Sequence, residues 1–252
     1  KSEGFAHRVI AEDKRHIYVH DDYADYLEQH GYRKYHGSEH DGYFENKGAI
    51  VSKIPAEHQV DQWVANRACE FSENYRGDQP FALMVSFPGP HCPYDPPIEF
   101  ADLYRPEDMP ANIPATDDSR LFRELVIGMH KRPWNQVDYT DFQEHHKRKI
   151  RAHYAALVHQ IDQGIGRIVA ALNASRFRAD TVIIFASDHG DFLGDYDLIG
   201  KHLFYEPSIR VPLIVTLPRV STARSVESLV SLTDVMATIL AFARVDQSGR
   251  GD

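Results

Sequence analysis

Thr181-Val-Ile-Ile-Phe-Ala-Ser-Asp-His-Gly190 decides the reading of this chain. Six β-branched or apolar residues form a strand, and the run breaks at a polar cluster, Ser187 to Asp191. Two further runs share this character. Phe81 to Phe87 is closed by Pro88-Gly89-Pro90, and Val211 to Leu217 carries Pro212 near its start, where a missing N–H is tolerated. Continuous apolar runs of this length predict strands buried on both faces, as in a parallel sheet. Between them lie helical periods. Glu57 to Tyr75 aligns Val60, Trp63, Val64, Ala68, Phe71 and Tyr75. Lys147 to Leu172 aligns Ile150, Tyr154, Leu157, Ile161, Ile165, Ile168, Val169 and Leu172. A third helix, capped by Ser231 or Thr233, carries Val235, Met236, Ile239 and Leu240. The alternation predicts an α/β sheet covered on both faces. Residues 104–143 show little period and several prolines, and are expected to form an insertion over one edge.

Composition narrows the chemistry. The 252 residues are 42% hydrophobic and 26% charged, which excludes a collagen-like repeat, a coiled-coil rod and a wholly disordered chain. No apolar run approaches the ~18 residues that cross a bilayer, so no membrane partner is expected. A net charge of −9 opposes non-specific nucleic-acid binding, which needs a positive face. An anionic ligand therefore requires positive charge concentrated locally. Two cysteines, Cys69 and Cys92, form neither a disulfide framework nor a C-x-x-C pair.

In an open α/β sheet, ligands sit beyond the carboxyl ends of the strands. There, Asp188 and His189 stand side by side where both can reach one metal ion, with Gly190 expected to permit the turn. The glycine-containing loop that follows is long enough to fold back and bring Lys201 toward a bound anion. The stiff loop Pro88 to Pro97 presents His91, placed to stabilise an oxyanion or protonate a leaving group. Cys92, with no basic partner in its local sequence, reads as a buried or half-exposed thiol rather than a nucleophile. The run His145 to Lys149 reads as the solvated start of the long helix, and the His36, Glu39, His40, Asp41 cluster is set aside.

Taken together and in order, these pieces resemble the sulfatases of the alkaline-phosphatase superfamily. The block Ser187-Asp-His-Gly-Asp to Gly200-Lys201, continuing into Glu206-Pro-Ser-Ile-Arg-Val-Pro-Leu-Ile214, follows the family pattern. His91-Cys-Pro-Tyr-Asp-Pro-Pro97 resembles its H-x-P-[FY]-x-x-P loop, and Tyr154 to Leu172 its long helix. Ser231-Leu-Thr-Asp234 resembles the helix entry after the last matched strand, and the likeness runs from about Gly4 to Phe242.

The resemblance implies an alkaline-phosphatase-like three-layer αβα sandwich with a mostly parallel sheet. It implies Asp188 and His189 as ligands of a divalent cation, most often Ca²⁺. Lys201 would contact the sulfate oxygens, and His91 would lie at the sulfate or leaving-group side. The family nucleophile is a formylglycine made from Cys or Ser in C/S-x-P-x-R; its hydrate attacks sulfur, and the sulfated hydrate then collapses to release sulfate. That motif does not occur here, and Cys92-Pro93-Tyr94 has its proline one place too early. The nucleophile, the paired Asp ligands and the K-x-H element are expected upstream of Lys1. Residues 1–252 then read as a partial sulfatase domain truncated at both ends, inactive in isolation. The expected substrate is a small-molecule or carbohydrate sulfate ester. A phosphonate monoester hydrolase or phosphodiesterase of the same superfamily, and a non-catalytic anion-binding relative, are the alternatives. Natural substrate, oligomeric state and compartment stay open.

Overall fold

A computed structural model describes residues 4–12, 14, 16–220 and 222–245; Lys1 lies outside the described residues. The architecture hangs on one long helix. The helices in chain order are α1 (Asp22–Gln29), α2 (Val60–Asn74), α3 (Ile98–Ala101), α4 (Asp117–His130) and α5 (Glu144–Ala174). Strand β1 (Ile183–Ala186), α6 (Glu206–Ile209), β2 (Leu213–Thr216) and α7 (Thr233–Phe242) follow.

Helix α5 runs 31 residues, about 46 Å at the α-helical rise. Its apolar stripe turns inward as the spacing requires: Ile150, Leu157 and Leu172 are buried, and Tyr154, Ile161, Ile165, Ile168 and Val169 half-buried. Helix α2 lies against it. The close approach depends on Gly164, where a Cβ would come 3.1 Å from that of Ala65. Gln62 donates to the Gln160 carbonyl at 2.8 Å, and Arg167 reaches Gln62 and Asn66.

The larger core collects Ile50, Tyr94, Val126, Val137, Tyr139, Ile150, Leu157, Phe192 and Leu198, with others around them. Its buried phenols are partnered, as burial of a hydroxyl demands: Tyr43 donates to Asn135, and Tyr139 to the Lys47 carbonyl. A second, smaller core packs Tyr23 and Leu27 of α1 on Val60 and Trp63 of α2. Beside it Lys34 and Asp21 form an ion pair with both side chains only 3% exposed.

Several sequence expectations change. β1 and β2 pair antiparallel, with Ile183 opposite Thr216 and Ala186 opposite Leu213, so this one pairing departs from the parallel arrangement that the apolar runs suggested. Phe81 to Phe87 forms no strand, and Leu83 and Met84 are exposed. The strands are covered only in part: Ile183, Ile184 and Leu213 are half-buried, and Ile214 is 57% exposed. An apolar run states what a segment can bury, while strand pairing and burial need neighbours on both edges and faces. Described residues here supply one strand neighbour. The 104–143 segment is also more than an irregular excursion. Thr116 and Ser119 form a reciprocal cap on α4, and Val126, Ile127, Val137, Tyr139 and Phe142 enter the main core. At α7 Ser231 Oγ accepts from the Thr233 N–H at 3.4 Å, and the Asp234 carboxylate in return accepts from the Ser231 N–H at 2.7 Å.

His153 of α5 is buried between the carbonyls of Ile50 and Tyr94, at 3.1 and 3.0 Å. Burial holds its imidazole below the ordinary 6.5, although the two carbonyls favour the charged form. The unfolded chain therefore binds a proton that the folded chain resists, and stability falls as pH drops below about 6.5. The urea midpoint of the wild-type chain is expected to decline across that range, and that of His153→Gln to decline less. Identical slopes would remove His153 as the cause.

Candidate active site

The polar cluster sits where β1 ends. Ser187 Oγ donates to the His189 carbonyl at 2.8 Å, and the His189 N–H donates to Asp188 Oδ1 at 2.9 Å, which curls the chain tightly. His189 Nδ1 lies 2.8 Å from the Gly190 carbonyl. A carbonyl only accepts, so Nδ1 carries the proton and Nε2 keeps its lone pair. Lys201 Nζ donates to that Nε2 at 2.7 Å, and Asp188 Oδ2 lies 3.5 Å from it. The Asp188 side chain is 84% exposed. Carboxylate, imidazole and ammonium thus meet at one accessible point, although Lys201 is twelve residues from His189.

The intervening loop folds back for identifiable reasons. Phe192 N–H donates to the Gly200 carbonyl, and Gly194 N–H to that of Leu198. Gly194 and Gly200 take φ of +95° and +72°, values that favour glycine. Phe192, Leu198 and Ile199 point into the core. Outside, Asp197 pairs with Arg123 and Lys147, and Asp195 with Arg151, which pins the loop to α4 and α5.

Gly190 has a different role from the one its sequence suggested. Its φ is not positive; what it supplies is space. Its N–H donates to the Ser208 carbonyl at 2.8 Å, and a Cβ would lie 2.0 Å from the Pro207 carbonyl oxygen. This contact presses the turn of residues 187–190 onto α6, whose Pro207 and Ser208 belong to the Glu206-Pro-Ser stretch.

The His91 loop is fixed from two sides. Asp61 of α2, buried, accepts from the Gly89 N–H at 2.9 Å. His91 Nδ1 lies 2.8 Å from the Cys92 carbonyl, so its proton sits on Nδ1 and Nε2 is the acid–base atom. Three residues on, Tyr94 donates to Asp191 Oδ2 at 2.9 Å, joining this loop to the one bearing Lys201. Cys92 is buried and Cys69 half-buried, and neither is disulfide-bonded.

Residues missed in the sequence are Asp191, Tyr94 and Tyr154. Burial pushes the Asp191 carboxyl up, opposed by N–H groups of Leu193 and Gly200 and by the Tyr94 hydroxyl. Burial, with Asp191 and Asp188 nearby, pushes the Tyr154 phenol up to about 12. The signal for Asp191 was its place in the same polar cluster, and for Tyr94 its place in the His91-Cys-Pro-Tyr loop; Tyr154 showed only as one residue of an apolar stripe. Lys34-Tyr35-His36 spells K-x-H but belongs elsewhere, since Lys34 is locked to Asp21 and His36 caps the turn Gly37–Glu39. Glu39 of the set-aside cluster pairs with Arg33.

Among the described residues no group of three or more His, Cys, Asp or Glu side chains is placed to hold a metal ion. Asp188 and His189 offer two donors, one carboxylate oxygen and one unprotonated nitrogen, on the accessible side. The Lys201 ammonium rests against that nitrogen, so the position already accepts positive charge. Two such donors are compatible with part of a divalent-cation shell and do not complete one.

The family model described as Sulfatase matches residues 11–245. An arylsulfatase of Clostridium perfringens is 32% identical over 190 residues, covering 73% of this chain and 38% of that protein. A choline-sulfatase of Rhizobium meliloti is 31% identical over 208 residues, covering 75% of this chain and 38% of its own length. Among solved structures, a phosphonate monoester hydrolase of Agrobacterium radiobacter superposes with a TM-score of 0.58 at 25% identity. That match covers 66% of this chain and 34% of the other. The chain thus spans well under half the length of these relatives.

Proposed function

Since the chain belongs to the sulfatase family, we propose that the full-length protein hydrolyses a sulfate ester of a small molecule or carbohydrate. The reading is carried by the convergence of Asp188, His189 and Lys201 on one exposed point. In this reading Lys201 binds the non-bridging sulfate oxygens with a charge-assisted hydrogen bond. Asp188 and His189 hold a divalent cation, for which Ca²⁺ is the first candidate. When bound, that cation polarises the sulfate and favours charge developing on its oxygens. His91, protonated at Nε2, delivers a proton to the departing alkoxide. The nucleophile, a formylglycine, and the other cation ligands come from chain outside these 252 residues.

The wider fold is part of the same proposal. Phe185 of β1, Ile214 of β2 and Met236 and Phe242 of α7 are exposed apolar side chains. Further strands would cover them and complete a three-layer αβα sandwich, with β2 as an antiparallel member of a mostly parallel sheet. No helix among the described residues is long and apolar enough to cross a membrane.

Likeness to phosphonate monoester hydrolases supports a second reading, in which the ester is a phosphonate. One aryl group offered to the full-length enzyme as sulfate, phosphate diester and phosphonate separates the two. The expected result is the highest kcat/KM for the sulfate, lost on chelation of the metal. Faster phosphonate turnover would install the second reading; binding of inorganic sulfate without any turnover would favour a non-catalytic relative. The 252-residue chain alone is expected to bind a hydrophobic dye and to hydrolyse none of the three.

A further inference from the structure

We propose that Asp191 is a positioning residue that holds His91 and Lys201 at a set spacing, a role that rests on the hydrolase reading above. One carboxylate reaches both loops. Its Oδ2 accepts from the Tyr94 hydroxyl at 2.9 Å. Its Oδ1 accepts from the N–H of Gly200 at 2.9 Å and of Leu193 at 3.0 Å. Gly200 directly precedes Lys201, and Tyr94 is three residues from His91 on a loop stiffened by Pro93, Pro96 and Pro97.

The Tyr94 end is the fixed one. Its N–H donates to the Gly48 carbonyl at 2.9 Å, and its carbonyl accepts from the Ile50 N–H at 3.0 Å and from His153. Its side chain is fully buried against Tyr154 and the main core. Asp191 therefore transmits a rigid reference point to the backbone that carries Lys201. A buried carboxylate is expensive to place and contributes little net stability for that cost, whereas a fully satisfied buried polar network specifies geometry. An apolar side chain of similar volume would fill the space and leave the Gly200 and Leu193 N–H groups unpaired. It would also leave the Tyr94 hydroxyl without its acceptor.

The two arms of the clamp act on different parts of the reaction. Cutting the Tyr94 arm uncouples the two loops, so the histidine that protonates the leaving group loses its set spacing from the ester bound at Lys201. Cutting at Asp191 also loosens the lysine that binds sulfate. Aryl sulfates graded in leaving-group basicity tell these apart in the full-length enzyme. For Tyr94→Phe, kcat on the poorest leaving group is expected to fall about ten-fold further than on the best, with KM little changed. Asp191→Asn is expected to add a rise in KM of about ten-fold. Tyr94→Phe removes a single hydroxyl, so it tests the clamp even where Asp191→Asn fails to fold.

A uniform loss across the series, tracking the folded fraction in melting curves, would make both residues merely structural and overturn the proposal. If the wild-type enzyme hydrolyses no ester at all, the proposed function has failed instead. Calorimetric titration with inorganic sulfate then decides the clamp. About ten-fold weaker binding by Asp191→Asn supports it, and unchanged binding overturns it.

Discussion

Lys201→Ala in the full-length enzyme is expected to lower kcat/KM for an aryl sulfate by about 10²–10³-fold, the usual effect of removing one donor to a developing anion. The ammonium is held 2.7 Å from His189 Nε2 at the end of a loop pinned by Asp195 and Asp197 to α4 and α5. The loop that carries it is thus pre-placed, and only the ammonium has to swing from Nε2 to an arriving anion when a cation takes that nitrogen. Such fixed donors are worth more than the same charge on a mobile chain, because orientation has been settled during folding. The loss should appear mainly in KM if Lys201 binds sulfate equally in ground and transition states. It should appear in kcat if the contact tightens as charge develops. Lys201→Arg should recover only part of the activity, since a planar fork does not replace a point charge beside an imidazole. Wild-type kinetics in Lys201→Ala, with the melting temperature intact, would show that the ammonium does not touch substrate.

Gly190→Ala is expected to reduce activity by about a hundred-fold while leaving most of the core folded. A Cβ at this position would stand 2.0 Å from the Pro207 carbonyl oxygen, where real contacts stay beyond 3.0 Å. The obstacle is backbone, so no side-chain rotation relieves it. Either the 187–190 turn or α6 must retreat by about an ångström, a misplacement that costs about 10² in a catalytic site. The Gly190 N–H to Ser208 carbonyl bond, 2.8 Å long, would stretch with it. Gly128→Ala is the control. Gly128 lies within α4, and a Cβ there would meet nothing within 4 Å. Alanine at that position should stabilise by about 0.5–1 kcal/mol and leave kinetics alone. Equal kinetics for the two variants would rule out the close contact as the constraint at Gly190.

Much of the helical framework was legible in advance. The spacing of Ile150, Leu157 and Leu172 located α5, and that of Val60, Trp63 and Ala68 located α2, because a 3.6-residue period has few other solutions. Helix α4 escaped notice because its signals are a Thr116–Ser119 cap and a stripe diluted by Arg120, Arg123 and Glu124. The strands misled for a different reason. Thr181 to Ala186 and Phe81 to Phe87 look alike as strings, yet one pairs and the other does not.

At the site, residue identity alone marked out the donors. Asp188, His189, Lys201 and His91 are chemically legible because each carries a side chain suited to anion or cation chemistry beside a glycine or proline loop. Family membership was legible from their order. How they meet came from packing: that Lys201 returns to His189, that Gly190 is glycine for space rather than for φ, and that Asp191 joins two loops through Tyr94. These are contacts between residues as far as 97 positions apart. Local pattern constrains periodicity and turn chemistry, but long-range hydrogen bonds and close approaches arise only once packing brings distant segments to one place.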